Sequence, residues 1–161
     1  QHRSIAIETI YNYLAWLEEA FIIYRCNRYD IQGKNVLKTQ EKYYLVDVGL
    51  QYLISSGQVS EQESTIENIV YLELLRRGYE VYVGKSNQYQ IDFVALDADR
   101  EYSYYQVALS MTDEAVLKHE LKSLQSIQDY YPKYLLTLDD VTIKTNYGGI
   151  KKMNILDWLL E

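Results

Sequence analysis

The stretch YQIDFVALDADREYSYYQVALS, residues 89–110, decides how this chain folds. Two runs rich in aromatic and β-branched residues flank the acidic segment Asp97–Glu101, so the stretch reads as two strands joined by a tight turn. With the turn centred on Asp99, Asp92 falls opposite Gln106, and period-2 alternation puts Gln106 and Ala108 on one face. Such a hairpin brings a carboxylate and an amide to one margin of a sheet.

The segments on either side extend the pattern. STIENIVYLELLRRGYEV (64–81) predicts a helix with Ser64 or Thr65 as cap, Glu67 in its first turn and an apolar face of Ile66, Ile69, Val70, Leu72, Leu74 and Leu75. Gly78 is its stop, and EVYVGKS is a strand. TDEAVLKHELKSLQSI (112–127) predicts an amphipathic helix capped by Thr112. DYYPKYLLTLDD gives a further strand with Pro132 at its entrance, and GIKKMNILDWLLE a last strand and helix. A helix between the third and fourth of these strands permits a parallel pair. The fold class is therefore α/β, a mixed β-sheet flanked by helices.

Before this unit, Ile7, Ile10, Tyr11, Leu14, Leu17 and Ala20 recur at helical spacing behind Ser4, a candidate cap. FIIYRCNRYD and NVLKTQEKYYLVDVG follow as strands around a turn at IQGK, and VDVGLQYLIS as a short helix. Helix, strand, turn and strand form the second half of a winged helix, with the wing tip near Asp30–Lys34. We expect a partial winged helix over residues 1–45 and a second unit over 46–161. The chain begins at Gln1, so we expect it to be a fragment of a longer protein.

Composition narrows the function classes. The 161 residues are 48% hydrophobic and carry one proline, so they can bury a core and leave no evident linker. The net charge of −7 argues against a surface that grips nucleic acid everywhere, because phosphate neutralisation dominates such binding. Local basic residues at the wing, Arg25, Arg28 and Lys34, are the candidates for nucleic-acid contact. The single cysteine, Cys26, cannot form an internal disulfide and suits a small buried role, which fits a cytoplasmic location. No apolar run approaches the ~20 residues of a membrane span. The 18 tyrosines read mainly as core and edge residues with a polar tip; base stacking by a subset is the alternative.

The chemistry lies in Glu67, Asp92 and Gln106. Two carboxylates and an amide oxygen at one sheet edge would suit Mg²⁺ or Mn²⁺, with Glu67 and Asp92 as ligands. The bland reading is a helix cap for Glu67 and backbone satisfaction for Gln106. His2 and His119 are isolated, and Ser55-Ser56-Gly57 lacks a partner base. Arg76-Arg77 closes a helix, where cations suit the dipole; a phosphate contact is the alternative.

The order Glu67, Asp92, Gln106 on a helix and hairpin resembles the restriction-endonuclease-like superfamily, whose signature is an acid followed by (D/E)xK. A closer resemblance rests on NRYDIQGKNVLKTQEKYYLVDVGL, IENIVYLELLRRGYEVYVG, QIDFVAL, YYQVALS and HELKSLQSIQDYYPKYLLTLD. Together these look like the domain of unknown function at the C-terminus of many bacterial and archaeal AAA+ ATPases. The resemblance implies a nuclease-like fold behind a winged helix, and ATP bound only in a P-loop module that this chain, lacking G-x-x-x-x-G-K-[ST], does not contain. It implies an own-chain ATPase domain as partner, with DNA as a second. Ala108 stands where the signature has lysine, which would position or deprotonate an attacking water. Lys118 on the next helix, or Lys85, would have to substitute; Lys118 also pairs simply with Glu114 at i,i+4. The expectation is a non-catalytic accessory domain with a degenerate site. The alternatives are a divalent-metal-dependent endonuclease and a DNA-binding module acting through the wing.

Overall fold

The computed structural model describes residues 6–54, 62–140 and 146–161. The chain order is α1 (Ile7–Glu19), β1 (Ile23–Asp30), β2 (Asn35–Leu45), α2 (Val48–Ile54), α3 (Gln62–Arg76), β3 (Glu80–Ser86), β4 (Tyr89–Leu96), β5 (Tyr102–Ala108), α4 (Glu114–Gln125), β6 (Lys133–Thr137), β7 (Asn146–Tyr147), β8 (Ile150–Asn154) and α5 (Ile155–Leu159). The strands form one mixed sheet in the order β2-β1-β3-β4-β5-β6-β8-β7. The β4–β5 hairpin takes the expected register, with Phe93 opposite Tyr105 and Leu96 opposite Tyr102. Crossing by α4 makes β5 and β6 parallel, as the helix-length connection allows.

Two apolar layers hold the sheet. On one face α3 and α5 cover a cluster that includes Val70, Tyr71, Leu74, Phe93, Val107 and Trp158. On the other, α4 covers Ile91, Val94, Leu121, Leu124 and Leu135. Each fully buried leucine here contributes on the order of 2 kcal/mol through lost water contact. Tyr71 lies at the middle of the first layer, stacked on Tyr44 at 4.1 Å and tilted against Phe93 at 5.9 Å. Cys26 is fully buried in the same layer; burial pushes its thiol up to about 12. Gly84 is required by close approach, because a Cβ there would stand 2.7 Å from the Ile91 Cβ and 2.8 Å from the Val94 Cγ2.

Several expectations are corrected. The hairpin β1–β2 is not set apart as a wing: β1 pairs with β3 in parallel, so residues 23–45 supply the first two strands of the common sheet. Helix α3 starts at Gln62, which places Ser64 and Thr65 inside it and removes the capping role assigned to them. Its buried side includes Asn68, Tyr71 and Glu73, whereas Ile69, Leu72 and Leu75 are only half-buried. Asp113, not Thr112, caps α4, accepting the Ala115 N–H at 2.7 Å. Ser4, His2 and the Ser55-Ser56-Gly57 run lie outside the described residues.

Helix α1 carries its apolar residues as predicted, yet none of them is buried. Ile7, Tyr13, Trp16 and the following Phe21 are all exposed, in contrast to Trp158, which is sealed in the core. Among the described residues no helix is long and apolar enough to cross a membrane.

Candidate functional site

The hairpin register brings Asp92 and Gln106 together. Beyond the Phe93–Tyr105 pair, side chains take over the bonding between these two strands. The Asp92 carboxylate (Oδ2) accepts the Val107 N–H at 2.9 Å, and the Gln106 amide oxygen faces the Asp92 N–H at 3.4 Å. Both residues are buried. Burial, and then the negative charge of Glu67, raise the Asp92 carboxyl to about 7, against the opposing pull of the Val107 N–H and Lys42.

Glu67 projects from α3 towards β2 and the same region. Its Oε1 receives both the Lys42 ammonium at 2.7 Å and the Tyr44 hydroxyl at 2.5 Å. Lys42 and Tyr44 are two residues apart on β2, so the strand's period presents both on one side. Tyr44 is raised far above the ordinary phenol range, chiefly by burial and by the Glu67 charge. A cleft of about 330 Å³ lies beside this group, lined by Lys42, Tyr44, Gln51, Glu67 and Asn68. The Asn68 amide binds both backbone groups of Leu45, at 2.8 and 2.9 Å, and so fixes the end of β2 against α3.

Gln106 faces α4. The Ser123 hydroxyl lies 3.4 Å from its amide oxygen, and Glu120 is the other neighbour. Burial raises the Glu120 carboxyl, opposed by His119 and by the Gln106 amide. Glu67 from α3 and Glu120 from α4 thus both bear on the buried Asp92 carboxyl.

The cation the sequence pointed to is elsewhere. Lys118 stays on the exposed side of α4, paired with Glu114 at 2.7 Å. The ammonium that acts on Asp92 is that of Lys42, from the hairpin assigned to the wing. It was not found in the sequence because its partner Glu67 lies 25 residues away, on another element beyond α2. The one available signal was the i, i+2 spacing of Lys42 and Tyr44, which puts a cation and a phenol on one side of a strand.

The donor set does not fit a divalent ion. The Glu67 oxygen aimed at the site already holds an ammonium and a phenol, and the buried Asp92 oxygen holds a backbone N–H. Among the described residues no three His, Cys, Asp or Glu side chains stand together as a metal site.

The wing residues take local partners. Arg25 pairs with Glu18 of α1 at 2.8 Å, and Arg28 bonds the Gln40 carbonyl and the Gln90 side chain. Lys34 is exposed at the turn with a left-handed backbone, φ 51°. Arg76 and Arg77 close on Glu73, which they hold down at about 2; Arg77 also donates to the Trp158 carbonyl at 2.5 Å.

Fold and site together define an α/β domain with an internally neutralised acidic margin. Residues 2–61 match a family described as a domain of unknown function (DUF8612). The chain is 42% identical over 153 residues to an uncharacterized protein of Haemophilus influenzae, covering 95% of this chain and 37% of that protein. It is 27% identical over 162 residues to the uncharacterized protein MJ1544 of Methanocaldococcus jannaschii, covering 96% and 34% respectively. The chain thus spans about a third of the length of these curated relatives. No solved structure matches it.

Proposed function

We propose that this chain is a non-catalytic accessory domain of a longer ATP-binding protein of the AAA+ type, on a degenerate restriction-endonuclease-like fold whose sheet takes in the β1–β2 hairpin. Its role is recognition, towards its own ATPase domain or DNA. One observation carries the reading: the Lys42 ammonium and Tyr44 hydroxyl sit on the Glu67 oxygen that a nuclease would offer to a metal. The cation is built in, so Glu67 is neutralised without an added ion. Ala108 at the signature's lysine position agrees with this, as does a chain that spans about a third of its relatives.

The endonuclease reading gains from the same contact, since Lys42 supplies an ammonium beside two acids. It would then replace Lys118 as the basic member. Calorimetry with Mn²⁺ and Ca²⁺ separates the readings. The accessory domain shows no binding at millimolar metal, and Lys42→Ala frees Glu67 and introduces weak binding. Binding by the unaltered chain that disappears in Asp92→Ala would overturn the proposal.

A further inference from the structure

A second cleft, of about 450 Å³, opens at the ends of three turns, far in sequence from Glu67. The 31–34 turn, Asn87 and the 126–131 loop form its rim, and tyrosines from β1 and β5 form its floor. The volume is in the range of small-ligand sites, roughly 300–1,000 Å³.

Its lining selects among guests. Tyr102 and Tyr131 are half-buried, with ring centroids 5.2 Å apart and planes inclined at 54°, so they make an aromatic corner. A cationic guest would need a free anion. The only carboxylate in the lining, Asp129, is already committed to the Tyr104 hydroxyl at 2.6 Å, the Lys133 ammonium at 3.0 Å and the Tyr131 N–H at 3.2 Å. An aliphatic guest would dry the exposed amides of Gln32, Asn87 and Gln128 without bonding them. A flat ring with a hydrogen-bonding edge meets both demands: it stacks on tyrosine and answers the amides. The Tyr29 and Tyr102 hydroxyls bond each other at 2.8 Å, which uses one phenolic proton and leaves the other as a donor. Lys34 stands at the rim, where it can meet a phosphate.

We propose that this tyrosine-lined cleft binds the nucleobase of a nucleotide, presented either free or within a single-stranded nucleic acid. The site shares no lining residue with the Glu67 margin, so it stands independently of the function proposed above.

The test is titration of the chain with the four common nucleoside 5′-monophosphates and with short single-stranded homopolymers, followed by calorimetry and by the tyrosine ring resonances in NMR. Saturable shifts at Tyr102 and Tyr131 are expected. Tyr131→Ala weakens binding at least tenfold, and Tyr131→Phe, which keeps the ring, restores it. Lys34→Ala weakens a monophosphate several-fold and leaves the matching nucleoside unchanged. Saturation by monophosphates identifies a free nucleotide as the ligand; saturation by homopolymers alone identifies a strand. If no probe moves these rings at millimolar concentration, or if Tyr131→Ala binds as well as the unaltered chain, the proposal is overturned.

Discussion

Asp92 is an acid that folding prefers to keep protonated. Its carboxyl is raised to about 7 by burial and by Glu67 of α3, with Lys42 of β2 pulling down and Glu120 of α4 pushing up. An acid raised in the folded state costs nothing below its unfolded value near ~4 and destabilises progressively as pH rises towards the folded value. Asp92→Asn should therefore stabilise the chain more at pH 8 than at pH 4, seen as a pH-dependent gap between the two melting temperatures. A pH-independent gap would contradict the burial argument. Gly84 answers to packing alone. Gly84→Ala should cost about 1–3 kcal/mol in a urea titration, because both neighbours are core side chains of β4 with no room to retreat. At this scale the sequence was legible where contacts are local in a hairpin, as for Asp92 and Gln106. It was silent on Lys42, whose meaning depends on a helix 25 residues onward. Ala108 was read as the site of a loss, but that loss alone could not say from which strand an ammonium returns.

Among the elements, α3 and α5 are joined by one side chain. Arg77 donates to Glu73 within α3 and to the Trp158 carbonyl in α5, and its guanidinium lies 4.3 Å from the Trp158 ring centroid. Arg77→Ala should destabilise by about 2 kcal/mol, from the lost charge-assisted bonds to Glu73 and the Trp158 carbonyl and the uncovered Trp158 ring, with Arg76 still paired to Glu73. Arg77→Lys should recover only part, since an ammonium cannot hold both partners and cover the ring. Chemical denaturation of the three chains checks this. Element types were legible from periodicity, while their ends were not. Helix α3 is already formed at Gln62, ahead of the polar Ser64 and Thr65 read as its cap, and Asp113 caps α4 beside the competing Thr112. The two-residue β7 is too short to leave any period.

For the whole molecule, one sheet runs across the boundary expected at residue 45. Strand order along the chain suggested a self-contained wing, but β1 lies between β2 and β3 in a single sheet. Removing residues 1–45 would strip Cys26 and Tyr44 from the core and bare the edge of β3. That shortened chain should fail to give a cooperative thermal transition. Removing residues 1–20 should leave one, because α1 buries none of its side chains. Circular dichroism on both truncations decides the point. The antiparallel β4–β5 pair and the parallel β5–β6 pair followed from connection lengths. The join between β1 and β3 did not, since a parallel pair formed across so long an excursion leaves no local trace.

The same exposed helix has an optical consequence. The chain has two tryptophans, Trp16 in α1 and Trp158 in α5, with 59% and 2% of their surfaces open to water. Emission should therefore be the sum of a long-wavelength and a short-wavelength component, and iodide should quench only the first. Anything that settles on α1 would shift that component towards the blue while leaving the other unmoved, so the protein carries its own reporter for whatever covers that helix.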